Sequence, residues 1–132
     1  MREWMMVFLA MALSGNVYAQ EAFELGADSF RQTGVPRGEI THHRWESSRV
    51  YRNTERDWWV YVPAQYDHEI PAALMVFQDG AGYLDEDGAI RVPVVFDNLI
   101  HRGEMPITIA VFINPGRFIG DNPDGPARNR ST

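Results

Sequence analysis

The chain has 132 residues, 45% of them hydrophobic, and a formal net charge of −6. That apolar content argues against a disordered protein, and the length suits no more than one domain. All 12 basic residues are arginines, scattered among 18 acids, so no basic stripe marks a nucleic-acid partner. Cysteine is absent, which excludes a disulfide scaffold and leaves stability to a packed core.

The first segment predicts export. Met1-Arg2 gives a short positive start, Trp4 to Leu13 form an apolar run, and Val17-Tyr18-Ala19 place small residues before Gln20. This is the order of a cleavable signal peptide over residues 1–19, and the run is shorter than the roughly 20 residues that span a bilayer. Cleavage would leave a secreted or periplasmic protein with no membrane attachment. Residues 20–36 are weakly patterned and lead into Gly34-Val35-Pro36-Arg37-Gly38, the composition of a leader arm or linker.

Strands follow. Glu39 to Ser47 has a mixed strand pattern, and Val50 to Thr54 lead through a turn into a strand over Arg56 to Val62. In that second strand Trp58, Val60 and Val62 share one face and Trp59 and Tyr61 the other, with Pro63 as its stop. Ala72 to Phe77 and Pro106 to Ile113 are short continuous apolar runs, each bounded by proline and glycine. Such runs predict strands buried on both faces, as in a parallel sheet. Between them Pro93 suits a first helical position, while Phe96, Leu99, Ile100 and Gly103 recur at helical spacing, with Gly103 at the end. Strand, helix, strand makes a βαβ unit, the two earlier strands pair antiparallel beside it, and the fold class is α/β. From Asn114 onward no periodicity remains.

The side chains that most often carry chemistry do not converge in the sequence. His42 and His43 are adjacent on a strand and point to opposite faces, so they cannot hold one metal together. His101 sits near a helix C-terminus and His68 in a turn, both structural positions. Asp85-Glu86-Asp87-Gly88 lacks the ligand spacing of a calcium loop and reads as a solvated turn. No metal or other cofactor is expected. Trp58 and Trp59 read as strand packing, although a sugar-stacking platform is an alternative.

One loop stands out. Val76-Phe77-Gln78-Asp79-Gly80-Ala81-Gly82-Tyr83 carries a strand into a glycine-bearing turn. In α/β hydrolases the loop after the third strand lends a backbone N–H to the oxyanion hole, and glycine allows close backbone approach. Gly80 and Ala81 are the candidate donors, with Gln78, Asp79 and Tyr83 supporting the loop.

The surrounding residues resemble the enterochelin esterase-like branch of the α/β-hydrolase esterases. The similarity runs through Trp59 to Asp67, Met75 to Gly80, Arg91 to His101, Gly103 to Pro106, Phe112 to Gly116 and Arg128 to Ser131. It covers residues 37–132 and implies the N-terminal half of an exported serine ester hydrolase. Small-molecule or polysaccharide esters would be the substrates of the full-length parent. The same resemblance implies a Gly-x-Ser-x-Gly nucleophile elbow followed by an acid and a histidine. Ser29, Ser47, Ser48 and Ser131 all lack that glycine frame, so the catalytic triad is absent and the chain is expected to be inactive alone. In the order of strands that the resemblance implies, the 72–77 strand lies between the 107–113 strand and a fifth strand not found in these residues, so it is expected to be an edge through which copies self-associate. Two rival readings are a small secreted carbohydrate-binding or interaction module and a split enzyme completed by a separate chain.

Overall fold

The computed structural model describes residues 24–120. The predicted signal peptide and the stretch Arg128 to Ser131 lie outside them. Five strands form a mixed sheet: β1 (Glu39–Trp45), β2 (Thr54–Val62), β3 (Ala73–Gln78), β4 (Thr108–Ile113) and β5 (Arg117–Phe118). Two helices accompany them, α1 (Ala81–Leu84) and α2 (Val92–His101), with a 3-10 turn at Ala27–Ser29. The strand order is β1-β2-β4-β3, and β5 pairs with the start of β2. β1 and β4 both run antiparallel to β2, whereas β3 lies parallel to β4. The predicted βαβ unit is therefore β3-α2-β4, with the hairpin β1-β2 beside it. A helix packed on parallel strands is not the architecture of a small all-β binding module.

Register explains which side chains are buried. Tyr61 pairs with Ala110 and Trp59 with Phe112, which puts these four on the face that α2 covers. Val92, Phe96 and Ile100, at helical spacing, pack there against Tyr61, Ala110 and Phe112. Phe77 stacks on Phe112 with centroids 5.0 Å apart, and Phe96 meets the edge of Tyr61 at 5.8 Å. Pro93 lies in the first turn of α2. Gly103 takes φ +71° beyond the last turn, where its N–H bonds the Ile100 carbonyl and that of Glu104 bonds Leu99. This is a glycine-terminated helix end.

The helix is also held by a buried carboxylate. Asp97 is 1% exposed. Its Oδ1 accepts from the Tyr61 hydroxyl at 2.7 Å and from the Gly38 N–H at 2.9 Å, and its Oδ2 pairs with Arg31. Burial and the adjacent Asp97 push the Tyr61 phenol far above its ordinary value. Asn98 donates to the carbonyls of Asp28 and Phe30, and Arg102 bonds the Asp28 carboxylate. Residues 28–38, which include the end of the 20–36 stretch read from sequence as leader arm or linker, are thus tied to α2 by polar side chains rather than by apolar periodicity.

Three expectations need correction. β3 is not buried on both faces: Leu74 is 67% and Val76 53% exposed. As the expected edge position requires, among the described residues only β4 pairs with it, and the face carrying Leu74 and Val76 lies away from α2. β4 buries Thr108, Ala110 and Phe112 and leaves Ile109, Val111 and Ile113 half-covered. Finally, α1 and β5 arise where no periodicity marked them, because four and two residues are too few to show one.

Two outcomes follow for stability. Asp97→Ala strips a partner from Tyr61, Gly38 and Arg31 together, and removing one member of a buried ion pair costs about 3–5 kcal/mol; urea unfolding measures it. The second concerns acid. Arg31 lowers the Glu86 carboxyl below its ordinary 4.5, as Arg44 and then Arg117 lower Glu55. Depressed carboxylates contribute stability that is present above the unfolded value and lost as pH falls through the folded one. The melting temperature should therefore hold above about pH 5 and drop as pH falls below 4.5, and Glu86→Gln should flatten part of that drop.

Candidate functional site

In open α/β sheets ligands bind beyond the carboxyl ends of the parallel strands. Here that end is built by the Gln78–Tyr83 loop after β3 and by Asn114 after β4. The turn is tight. Asp79 adopts φ +57°, and Gly80 follows in helical conformation. A Cβ on Gly80 would lie 2.4 Å from the Ile113 nitrogen and 2.5 Å from the Phe112 carbonyl carbon. Only glycine lets the loop lie so close to β4. Gly82, by contrast, has open space around the same position.

The loop's amides divide sharply. Gly80 N–H donates to the Ile113 carbonyl at 3.1 Å, continuing the β3-β4 ladder. Gly82 and Tyr83 N–H groups close the α1 turn onto Asp79 and Gly80 carbonyls. Ala81 N–H donates instead to a side chain, the Asn114 Oδ1, at 2.9 Å. Asn114 is anchored through its own N–H to the Asp57 carbonyl. Of the two candidate donors, Gly80 is committed to the sheet and Ala81 meets an acceptor that one torsion can move. Sequence reasoning singled out the loop but missed Asn114, whose role depends on β3 and β4 being neighbours. Phe77 and Tyr83 pack ring to ring at 5.1 Å, which fixes α1 against the core. Gln78, the last residue of β3, is exposed.

The histidines remain apart. His42 stacks on Trp59 at 5.0 Å and bonds Asp57 at 3.0 Å. His43 stacks on Trp58 at 4.4 Å on the other face. His68 stands in an exposed turn beside Asp67 and Glu69, and His101 ends α2 in solvent. Both tryptophans are therefore engaged by cross-strand rings, the packing reading of that pair. In the acidic turn Asp85 accepts the Asp87 N–H and Glu86 pairs with Arg31 and Arg37. Among the described residues no group of three or more His, Asp or Glu is placed to hold a metal.

No protein-family model and no curated protein matches the chain. Solved structures do. One is a structure of FAE, 18% identical with a TM-score of 0.54, covering 69% of this chain and 31% of that one. Another is a CE1 ferulic acid esterase from the anaerobic fungus Anaeromyces mucronatus, 21% identical with a TM-score of 0.52, covering 64% and 32%. A third is the feruloyl esterase module from Clostridium thermocellum complexed with sinapinate, 19% identical with a TM-score of 0.51, covering 70% and 31%. The chain spans about a third of the length of these structures. At this identity the likeness defines the fold alone: the chain shares the mixed α/β sheet of part of these structures.

The two glycines of the loop give a direct comparison. Gly80→Ala forces backbone against backbone and should cost about 1–3 kcal/mol, as overpacking does, whereas Gly82→Ala should leave the urea midpoint nearly unchanged.

Proposed function

We propose that this chain forms the N-terminal part of an exported carboxylic-ester hydrolase of the enterochelin esterase-like branch, and that alone it is inactive. The observation carrying this reading is the Ala81 N–H. It points at an oxygen 2.9 Å away at the carboxyl end of the parallel strands, within the 2.7–3.1 Å range of an oxyanion-hole donor. In the hydrolase the Asn114 amide oxygen would give way and the developing oxyanion would take its place. A second donor would come from the residue after the nucleophile, and the nucleophile, acid and base would come from sequence beyond this chain. The likeness to ferulic acid esterases supports a small acyl ester as substrate, and export to the periplasm or medium follows from the leader sequence. The exposed β3 edge is where the remaining sheet would continue; in its absence we expect copies of the chain to associate there.

Two measurements test the reading. Purified residues 20–132 should not hydrolyse p-nitrophenyl acetate above an inert-protein blank, and saturable turnover blocked by a serine-directed phosphonate would overturn the claim of inactivity. Joining the chain to a downstream reading frame that encodes a Gly-x-Ser-x-Gly elbow should create such turnover. Ala81→Pro should then lower kcat roughly 10²–10³-fold. A folded proline variant with full kcat would reduce the loop to a turn.

A further inference from the structure

Among the described residues most arginines of this acidic chain are matched. Arg31 meets Glu86 and Asp97, Arg37 meets Glu86, Arg44 meets Glu46 and Glu55, and Arg102 meets Asp28 and Glu104. Arg117 meets Glu55 and Asp57, while Arg91 is held by the carbonyls of Gly88, Ser29 and Asp87. Three described arginines are different. Arg49, Arg52 and Arg56 enter no ion pair among the described residues, and all three belong to the β1-β2 hairpin.

Arg56 is the most defined of them. It pairs across the hairpin with Trp45, and its guanidinium lies over the Trp45 ring at 5.5 Å and the Tyr51 ring at 6.0 Å. The Gly116 backbone closes one side, since a Cβ there would come within 2.8 Å of Nη2. Its donors have no hydrogen-bonded acceptor among the described residues. Trp45 and Tyr51 are each about half exposed, at 48% and 54%. The hairpin tip that carries Tyr51 is itself braced. Tyr51 N–H bonds the Ser48 hydroxyl, Thr54 Oγ1 bonds the Tyr51 carbonyl, and Ile119 N–H bonds the Asn53 carbonyl.

We propose that this hairpin binds a carboxylate-bearing sugar, the uronic-acid unit of an acidic glycan. A guanidinium presents a planar fork of donors that matches a carboxylate bidentately. The flanking Trp and Tyr rings offer apolar faces to the C–H face of a pyranose, and Arg49 and Arg52 extend the positive charge toward neighbouring units. The charge complementarity favours a sparse polyanion. A nucleic acid, with one charge per ~1.7 Å, would meet three unmatched arginines among the described residues, on a protein of net charge −6. β2 begins beside the end of β4, where Trp58 pairs with Ile113, so the hairpin stands at the same end of the sheet as Ala81 and Asn114. Binding here does not depend on the ester-hydrolase reading, because it is measured without turnover.

Affinity electrophoresis of the full chain tests it, through gels containing polygalacturonate, neutral xylan or double-stranded DNA. Retardation by polygalacturonate that weakens with added salt is expected, with little by xylan or DNA. Arg56→Gln and Trp45→Ala should each weaken binding about tenfold, the scale of a charged hydrogen-bonded contact. Arg52→Gln alters an exposed turn residue with no partner to lose, so it should fold normally and weaken binding about two- to fivefold. No retardation by polygalacturonate would overturn the proposal. So would equal retardation by xylan or by DNA, or a folded Arg52→Gln and Arg56→Gln pair with unchanged mobility shifts.

Discussion

One buried carboxylate organises the described part of this protein. Asp97 is the point where the helix, β2 and the N-terminal arm meet: the helix supplies the acceptor, β2 the Tyr61 hydroxyl, and the arm the Gly38 N–H and the Arg31 guanidinium. An ionised group without water is stable only when its lone pairs are filled, so the three segments are mutually dependent. Tyr61 cannot leave the core without abandoning Asp97, and Arg31 cannot leave without exposing a charge that the Tyr61 hydroxyl and Gly38 amide alone must balance. The apolar contacts of Phe96, Ile100 and Phe112 supply the driving force of burial, which is non-directional. The carboxylate adds direction: it sets which face of α2 meets Tyr61 and where the chain crosses before β1.

The second organising constraint is the closeness of β3 and β4 at their carboxyl ends. Because Gly80 lies against the Ile113 and Phe112 backbone, the loop after β3 is forced into one helical turn beside Asn114. The resulting amide pattern separates a structural donor, Gly80, from one facing a side chain, Ala81. The solved structures share the overall fold of this chain over about a third of their length, and the proposed role of Ala81 takes its geometry from the strand pairing rather than from any one residue.

What the sequence revealed follows from where the information lies. Strand alternation in Trp58 to Val62, the proline and glycine limits of the apolar runs, and the Pro93-to-Gly103 helix frame are local, and each predicted its element. The uncovered side of β3 was not legible in its own residues, because Leu74 and Val76 look the same in sequence whether covered or bare; the strand order implied by the resemblance is what marked it as an edge. Equally hidden were Asp97 and Asn114, polar residues whose importance comes from partners far along the chain. The loop from Gln78 to Tyr83 was legible as a site through its glycines, but not which of its amides was already bonded. Arg49, Arg52 and Arg56 looked like part of an even scatter of charge. Folding gave the other described arginines partners and left these three in one hairpin.

The arm's attachment bears on the order in which the protein takes shape. Arg31 and Asp97 are 66 residues apart, and Gly38 and Asp97 are 59 apart. At a synthesis rate of ~5–20 residues per second, the arm would wait about 3–13 seconds for the carboxylate that orders it. Until α2 has been made and docked on β2, Arg31 has no Asp97 to meet and Gly38 no acceptor for its N–H. The part of this domain that is synthesised first is therefore among the last to find its place, and whatever holds the nascent chain open early on acts on a segment that has nowhere yet to go.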